Sequence, residues 1–261
     1  MISILGIPYD ENSSFLRGAA KGPEVLLEAL HSPSSNMATE SGLDLGDHSS
    51  ISYVGNVEPG DEEWLSAITN TIDDQLRQDH RVISLGGDHA VTYPLVRGYA
   101  GHYDALSILH IDAHPDLYDE FEGNRYSHAC PFARIMENVL CKRLVQVGIR
   151  TMTPHQKAQA DKFGVEVYGM SQWQDFDAST LEGPVYLSVD LDALDPAFAP
   201  GVSHPEPGGL STRDVVQIIQ DIPVALVGAD IVELNPDRDV QELTARAGAK
   251  ILKEILANML A

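Results

Sequence analysis

The segment LHIDAHPD, residues 109–116, decides the fold of this chain. The apolar run 105–111 predicts a buried strand, and side chains that can bind metal follow it at every second position. In extended backbone, alternate side chains share one face, so Asp112, His114 and Asp116 are expected to converge on one point. The segment therefore predicts a strand of a central sheet that ends in a metal site.

Two further predicted strands end in the same kind of residue. The strand 81–85 stops at Gly86-Gly87-Asp88-His89, and the strand 185–189 runs into Asp190-Leu191-Asp192. Taken singly, these endings have ordinary explanations, since Asp88 can cap the helix after it and an Asp-x-Asp pair is often a solvated loop. Strand carboxyl ends form the active site in folds of this type, so the three endings together predict one metal centre. Its candidate ligands are His89, Asp112, His114, Asp116, Asp190 and Asp192.

Strand and helix patterns alternate along the chain. Strands are predicted at 2–7, 51–54, 81–85, 105–111, 143–149, 165–168, 185–189 and 224–232. Helices are predicted between them, with Asp61 as the N-cap of the helix that contains Trp64, and a last helix begins near Val240. Such alternation requires crossover connections, which favour a parallel sheet. We therefore expect one α/β domain, residues 1–261, in three layers, α/β/α, with a central, mainly parallel sheet.

Composition narrows the class of partner and the compartment. The formal net charge of −22 argues against nucleic acid or an anionic membrane surface as a partner. An acidic entrance to the site could, however, attract a cationic substrate. No apolar run approaches the length of about 18 residues that a membrane span needs. The two cysteines, Cys130 and Cys141, lie among hydrophobic neighbours and are expected to be reduced core thiols. The N-terminus is typical of a first strand and not of a signal peptide, so we expect a cytoplasmic protein.

The types of ligand predict which metal would bind. Two imidazoles, four carboxylates and no thiolate suit Mn²⁺ or another octahedral-leaning divalent ion better than structural zinc. We therefore expect two Mn²⁺ ions per chain, with Co²⁺ or Ni²⁺ as alternatives. Two such ions a few ångströms apart can hold a water molecule and lower its pKa, which gives hydroxide at neutral pH. The pattern thus indicates hydrolysis of an unreactive carbon centre.

Four motifs in this order resemble those of the ureohydrolase family, the arginases and agmatinases. They are Gly86-Gly87-Asp88-His89, Asp112-Ala113-His114-Pro115-Asp116, the run 188–196 with Pro200-Gly201, and Glu233-Leu234-Asn235-Pro236. The likeness extends nearly end to end and is closest to the plant-type arginase and agmatinase branch. It implies an arginase-like fold and a homo-oligomer, a trimer or a hexamer.

The resemblance also implies a role for each residue of the site. One manganese ion would be held by His89, Asp112, Asp116 and Asp190, and the other by His114, Asp112, Asp190 and Asp192. Glu233 matches the acid that binds the guanidinium group, a task that suits a carboxylate fork. His128 matches the histidine that shuttles a proton, and Asp116 is placed to hydrogen-bond the attacking hydroxide. The implied reaction releases urea and an amine from a small guanidino compound.

The substrate is predicted from two loops. In the family, the loop 117–127 and the segment after Pro200-Gly201 face the far end of the substrate. Three acids in the first loop favour the cationic tail of agmatine, which would give putrescine and urea, whereas Arg125 could pair with the carboxylate of arginine or a guanidino acid. We expect agmatine, with arginine, which would give ornithine and urea, as the alternative, followed by guanidino acids and formimino compounds. The predicted tail-binding residues are Asn124, Arg125, Tyr126, Ser203 and His204.

Two hypotheses from other classes remain open. Zinc-dependent deacetylases use the same fold with a single metal, and a silent regulator could use it with none. The complete set of candidate ligands argues against both, since a missing ligand would mark either one. A content of about two ions per chain would separate the hydrolase from these alternatives.

Overall fold

In the computed structural model, which describes residues 1–46, 48–57 and 63–261, the described strands form one sheet. The strands are β1 Ile2–Gly6, β2 Ile51–Asn56, β3 Arg81–Leu85, β4 Ser107–Ile111, β5 Arg143–Ile149, β6 Glu166–Gly169, β7 Val185–Asp190 and β8 Gly228–Val232. Their order across the sheet is β2-β1-β3-β8-β7-β4-β5-β6, and every neighbouring pair is parallel. The expectation of a mainly parallel sheet is confirmed.

Helices cover both faces of the sheet. They are α1 Gly22–Leu30, α2 Trp64–Leu76, α3 Thr92–Tyr99, α4 Pro131–Glu137, α5 Pro154–Phe163, α6 Thr212–Gln220 and α7 Leu243–Leu260. Helices α1, α6 and α7 bury apolar side chains in one core, and α2, α3, α4 and α5 do so in another. Successive strand residues alternate between these cores; Leu109 belongs to the first and Ile108 to the second. The three-layer α/β/α prediction is confirmed.

Several element ends differ from the predictions by one or two residues, and two boundaries differ by more. The last strand begins at Gly228 instead of residue 224, because the Asn258 side chain of α7 hydrogen-bonds Val224 O and Leu226 N. The last helix begins at Leu243, because the Asp239 carboxylate accepts hydrogen bonds from backbone N–H groups of its first turn. The predicted N-cap Asp61 lies outside the described residues.

The topology brings four strand ends side by side. Strands β3, β8, β7 and β4 are consecutive in the sheet, and all four are buried along their length except for the first residue of β3. The candidate residues His89, Glu233, Asp190 and Asp112 lie at or just after the carboxyl ends of these strands. Parallel strands therefore gather at one edge residues that are far apart in sequence. Within the described part of the chain, no helix is long and apolar enough to cross a membrane.

Candidate metal centre and substrate cavity

A tight turn carries the chain from β3 to His89. A Cβ atom at Gly87 would lie 1.8 Å from the carbonyl oxygen of Tyr9, so only glycine allows the two backbones to approach so closely. Asp88 then accepts a hydrogen bond from Ala90 N, which confirms its capping role, and its other oxygen accepts one from Asn12 N. The turn thus fixes the direction in which His89 leaves the sheet.

The first cluster surrounds Nδ1 of His89. This nitrogen is fully buried and lies 3.1 Å from a carboxylate oxygen of each of Asp112, Asp116 and Asp190. It has no hydrogen-bond partner among the described atoms. One nitrogen and three carboxylate oxygens around one point form a donor set suited to a divalent cation.

Ser188 and Asp230 determine which nitrogen of His89 carries a proton. The Ser188 hydroxyl donates to Asp230 Oδ1 at 2.7 Å and lies 3.1 Å from His89 Nε2. A hydroxyl that has already used its proton must accept, so Nε2 is the N–H donor. Nδ1 is then free to bind a cation. The hydrogen bond from Nε2 to Ser188 is the kind of contact that usually orients a metal-binding histidine.

The second cluster contains His114. Its Nδ1 lies 3.1 Å from Asp192 Oδ2 and 3.5 Å from Asp112 Oδ1. The other oxygen of Asp112 faces His89, so this carboxylate joins the two clusters. A single aspartate between two His/Asp clusters suits a pair of cations.

The convergence does not arise as we expected. Strand β4 ends at Ile111, and Asp116 has a left-handed φ of 49°, so residues 112–116 are not extended. Instead, Asp112 Oδ1 accepts a hydrogen bond from His114 N at 2.6 Å, and Asp190 Oδ1 accepts one from Asp192 N at 2.7 Å. Local side-chain to backbone turns therefore aim these ligands.

His110 also approaches Asp112 and has the appearance of a ligand. Its Nε2 lies 2.7 Å from Asp112 Oδ2. However, the amide nitrogen of Gln146, which also donates to Pro115 O at 2.7 Å, donates to His110 Nδ1 at 3.0 Å. Nε2 of His110 must then be the protonated nitrogen, so His110 is a donor that orients Asp112 and not a metal ligand.

The electrostatics of the carboxylates fit bound cations. Burial and the charges of Asp192 and Asp112 raise the pKa of Asp190 well above its ordinary value. Burial lowers the pKa of His89, but its three carboxylate neighbours outweigh this effect and raise it overall. Despite its burial, Asp112 has a pKa held well below its ordinary value by neighbouring histidines, whereas Asp190 lacks such compensation, which divalent cations would supply. Protons would compete with those cations at low pH.

Glu233 and His128 form a buried pair beside the clusters. Glu233 Oε1 accepts a hydrogen bond from His89 N at 3.0 Å and lies 3.1 Å from His128 Nδ1, whereas the buried Oε2 has no partner among the described atoms. Burial alone would lower the pKa of His128, but the hydrogen bond and charge of Glu233 raise it to about 9. Burial would raise the pKa of Glu233, and His128 lowers it. The pair is therefore ionised at neutral pH, with one carboxylate oxygen left free.

A cavity of about 320 Å³ opens above the clusters and this pair. Its lining includes members of both clusters and the buried pair, which we name the inner wall: His114, Asp116, Asp190, Asp192, His128 and Glu233. We name the other lining residues the outer wall: Ser14, Tyr118, Phe121, Ala129, Thr151, Gln156, His204 and Glu206. The cavity can therefore admit a small molecule whose reactive end lies against the clusters.

Of the predicted tail-binding residues, His204 lines this cavity and the others do not. The His204 ring centroid lies 4.8 Å from that of His128. Arg125 forms ion pairs with Asp119 and Glu137, and Asn124 donates to Asn12 Oδ1. Tyr126 is exposed beside Tyr93, and the buried Ser203 hydroxyl bonds Leu16 O and Asn235 Nδ2.

Sequence reasoning missed several residues of the outer wall. Ser14, whose hydroxyl lies 2.8 Å from His128 Nε2, comes from a loop more than 100 positions away in the chain. Thr151 follows the end of β5, Gln156 lies in the first turn of α5, and Glu206 lies in the long loop after β7. Their positions after strands were a usable signal, but their types are common in loops.

Comparisons with known proteins agree with this geometry. The family model described as the Arginase family matches residues 1–257. Arginase 1, mitochondrial, of Arabidopsis thaliana is 44% identical over 276 residues, which cover 98% of this chain and 80% of that protein. N(1)-aminopropylagmatine ureohydrolase of Thermus thermophilus is 37% identical over 257 residues, which cover 94% of this chain and 86% of that protein.

A solved structure shows the same likeness. The arginase from Medicago truncatula superposes with a TM-score of 0.92 at 41% identity, covering 99% of this chain and 87% of that one. The agreement extends over nearly the whole chain, including the strand ends that carry the two clusters. This chain belongs to the arginase family and is an enzyme of the ureohydrolase type.

Proposed function

We propose that this protein hydrolyses the guanidino group of L-arginine to ornithine and urea with two Mn²⁺ ions. The observation that carries the proposal is Asp112, shared between the His89 and His114 clusters, with Glu233 bonded to the backbone of the same His89. His89, Asp112, Asp116 and Asp190 would hold one ion, and His114, Asp112, Asp190 and Asp192 the other. Bound ions of this kind lower the pKa of water and stabilise negative charge on a reacting centre.

The side chains around the cavity supply the remaining chemistry. Glu233 Oε2 accepts N–H groups of the guanidinium, while its Oε1 stays fixed by His89 N. His128 is protonated at neutral pH because Glu233 raises its pKa to about 9, so it can donate a proton to the leaving amine. Ser14 contacts the other ring nitrogen of His128 and fixes the ring. Asp116 lines the cavity, and its hydrogen bond to the attacking oxygen stays a prediction.

The arguments that favoured agmatine lose their basis in the structure. Asp119 pairs with Arg125 and Arg134, and Glu120 and Glu122 are exposed, so the three loop acids do not line the cavity. Arg125 is turned away as well, which removes the argument from its charge. The substrate must therefore be inferred from the residues that do line the cavity and from the relatives.

Those residues suit the zwitterionic end of arginine. The Glu206 carboxylate would bind an ammonium group, which arginine and agmatine both carry. The Ser14 hydroxyl and the Gln156 amide can donate to a carboxylate, which agmatine lacks. The similarity to proteins named arginase, at 44% identity against 37% for the agmatine-type relative, favours the same substrate.

Agmatine is the second candidate. Among the described residues, the lining of the cavity includes no arginine or lysine to pair with the carboxylate of arginine. A cavity with a carboxylate at its outer wall and no strong cation also accepts a cationic tail. The relative from Thermus thermophilus is named for an agmatine derivative.

The test is urea release after manganese loading, with arginine, agmatine and guanidinobutyrate compared in parallel, beside formamide release from a formimino compound. We expect the highest kcat/KM with arginine. In His128→Ala, kcat should fall by a factor of about 10² to 10⁴, since the general acid is lost. His102→Ala is the control, because His102 pairs with Asp73 away from the cavity. A higher kcat/KM with agmatine would select the second candidate, and absence of urea from every substrate would refute both.

The remaining inferences concern metal, assembly and compartment. About two manganese ions per chain by mass spectrometry would exclude a single-zinc enzyme and a metal-free regulator. We propose a homo-oligomer, a trimer or hexamer, which light scattering would measure. A cytoplasmic location stays a prediction, because the Arabidopsis relative is named mitochondrial.

A further inference from the structure

We propose that Arg150 is a positioning residue that holds the turn of Asp192 against the loop segment of Glu206. The proposal rests on the proposed function, because it treats Asp192 as a ligand of the second cation and Glu206 as a contact for the substrate tail. Arg150 directly follows β5, outside the residues that line the cavity. Its action on the site would therefore pass through other residues.

The guanidinium group of Arg150 connects two segments of backbone. Its Nη2 donates to Asp192 O at 2.7 Å and its Nη1 to Ala193 O at 3.1 Å, both in the short 3₁₀ turn Leu191–Ala193. The same group donates to Glu206 O, through Nη2 at 2.6 Å and Nε at 3.0 Å. One planar side chain thus joins the turn of a candidate ligand to the wall of the cavity.

The guanidinium of Arg150 is packed so closely that the neighbouring residue 209 has no room for a side chain. A Cβ atom at Gly209 would lie 2.7 Å from Arg150 Nη2 and 2.7 Å from Ala193 O. The loop therefore closes on the guanidinium only because residue 209 has no side chain. Gly209, Arg150 and the turn form one packed unit.

Among the described residues, hydrogen bonds from groups other than Arg150 hold the two ends of the loop 194–209 but not Glu206 itself. Asp195 accepts hydrogen bonds from Gly208 N and Gly209 N, and Ser203 bonds Leu16 O near the start of the loop. Loss of Arg150 would therefore leave the loop attached and the His89 cluster unchanged. The expected damage is confined to the orientation of Asp192 and the position of Glu206.

The first test is manganese binding without substrate, so its result does not depend on which guanidino compound is hydrolysed. Arg150→Met should bind one ion as the wild type does and the second about 10-fold to 100-fold more weakly, the usual effect of removing a residue that supports a ligand. The electron paramagnetic resonance signal of coupled manganese pairs should decrease accordingly. Arg150→Lys keeps the charge but cannot reach both segments, so it should show the same loss.

Arg143→Met is the matched control. Arg143 begins β5, and its guanidinium also makes several hydrogen bonds, to the Glu166 carboxylate and Thr180 O, at the opposite end of the strand. We expect this variant to bind both ions like the wild type. Under saturating manganese, Arg150→Met should raise KM for the preferred substrate more than it lowers kcat, whereas Arg143→Met should change neither.

Three results would overturn the proposal. They are wild-type binding of both ions by Arg150→Met, equal weakening of both ions, and the same loss in Arg143→Met. Failure of the proposed function has a different signature, since the wild type would then bind two ions and release no urea. Circular dichroism would confirm that each variant is folded before its ions are counted.

Discussion

At the scale of single residues, the His128–Glu233 pair makes the stability of the folded protein depend on pH. The pKa of His128 in the folded protein is about 9, against an ordinary value of about 6.5 in an unfolded chain. A raised pKa stabilises the folded state fully below about pH 6.5, and this stabilisation is lost as pH rises through 9. The lowered pKa of Glu233 stabilises the folded state above about pH 4.3, and this stabilisation is lost as pH falls through the lowered pKa.

The pair therefore predicts a fall in stability on the alkaline side. In metal-free protein, the melting temperature of the wild type should fall between pH 6.5 and 9.5, and that of His128→Asn should fall less. Thermal unfolding in the presence of a chelator measures this difference. His31→Asn, at an exposed histidine just after α1, is the control and should follow the wild type. Parallel curves for wild type and His128→Asn would contradict the assignment.

At the scale of elements, the N-terminus of α5 combines a structural and a functional role. Thr153 and Gln156 form a capping box, in which Gln156 N donates to Thr153 Oγ1 and Gln156 Oε1 accepts from Thr153 N. Gln156 also lines the cavity. Helix α6 has an equivalent box, Ser211 with Asp214, which does not line the cavity.

Breaking the two boxes should separate these roles. Thr153→Ala and Ser211→Ala should each cost about 1 kcal/mol of unfolding free energy, since each loses an N-cap. Only Thr153→Ala should also raise KM, because the Gln156 amide oxygen keeps its bond from Thr153 N but loses the one that the Thr153 hydroxyl donates at 3.0 Å. Denaturant unfolding and urea-release kinetics measure the two effects. An unchanged KM in Thr153→Ala would show that Gln156 does not contact substrate.

At the scale of the whole molecule, the charge balance predicts dependence on divalent cations. The chain has a formal net charge of −22, and Asp112, Asp116, Asp190 and Asp192 are all buried at one edge of the sheet. A chelator should lower the melting temperature, and Mn²⁺ should raise it again. Binding at 100 times the dissociation constant adds about 2.7 kcal/mol per site to the free energy of unfolding.

A salt control distinguishes specific binding from screening. NaCl at equal ionic strength screens the surface charge but cannot occupy the two clusters, so it should restore only part of the loss. Differential scanning calorimetry with each salt measures this. Equal recovery with NaCl and Mn²⁺ would contradict a specific cation site.

Much of the fold and the candidate ligand set could be read from local patterns. The eight predicted strands match the observed ones, apart from shifted ends, because alternation of buried strands and amphipathic helices is a local signal. The six proposed ligands lie close together because parallel strands end at one edge. Their role as ligands stays a prediction, although the geometry of Asp112 and His89 supports it.

The sequence by itself determined the α/β architecture and the residues that could bind metal, since both depend on periodicity and on where strands end. Only the tertiary structure decided which loop residues face the cavity. Arg125 pairs with Asp119 at the surface, whereas Ser14 and Glu206 line the cavity. Arg150 hydrogen-bonds the turn that contains Asp192. The physical reason is that a loop side chain takes its direction from long-range contacts, and those contacts leave no periodic signal in the chain.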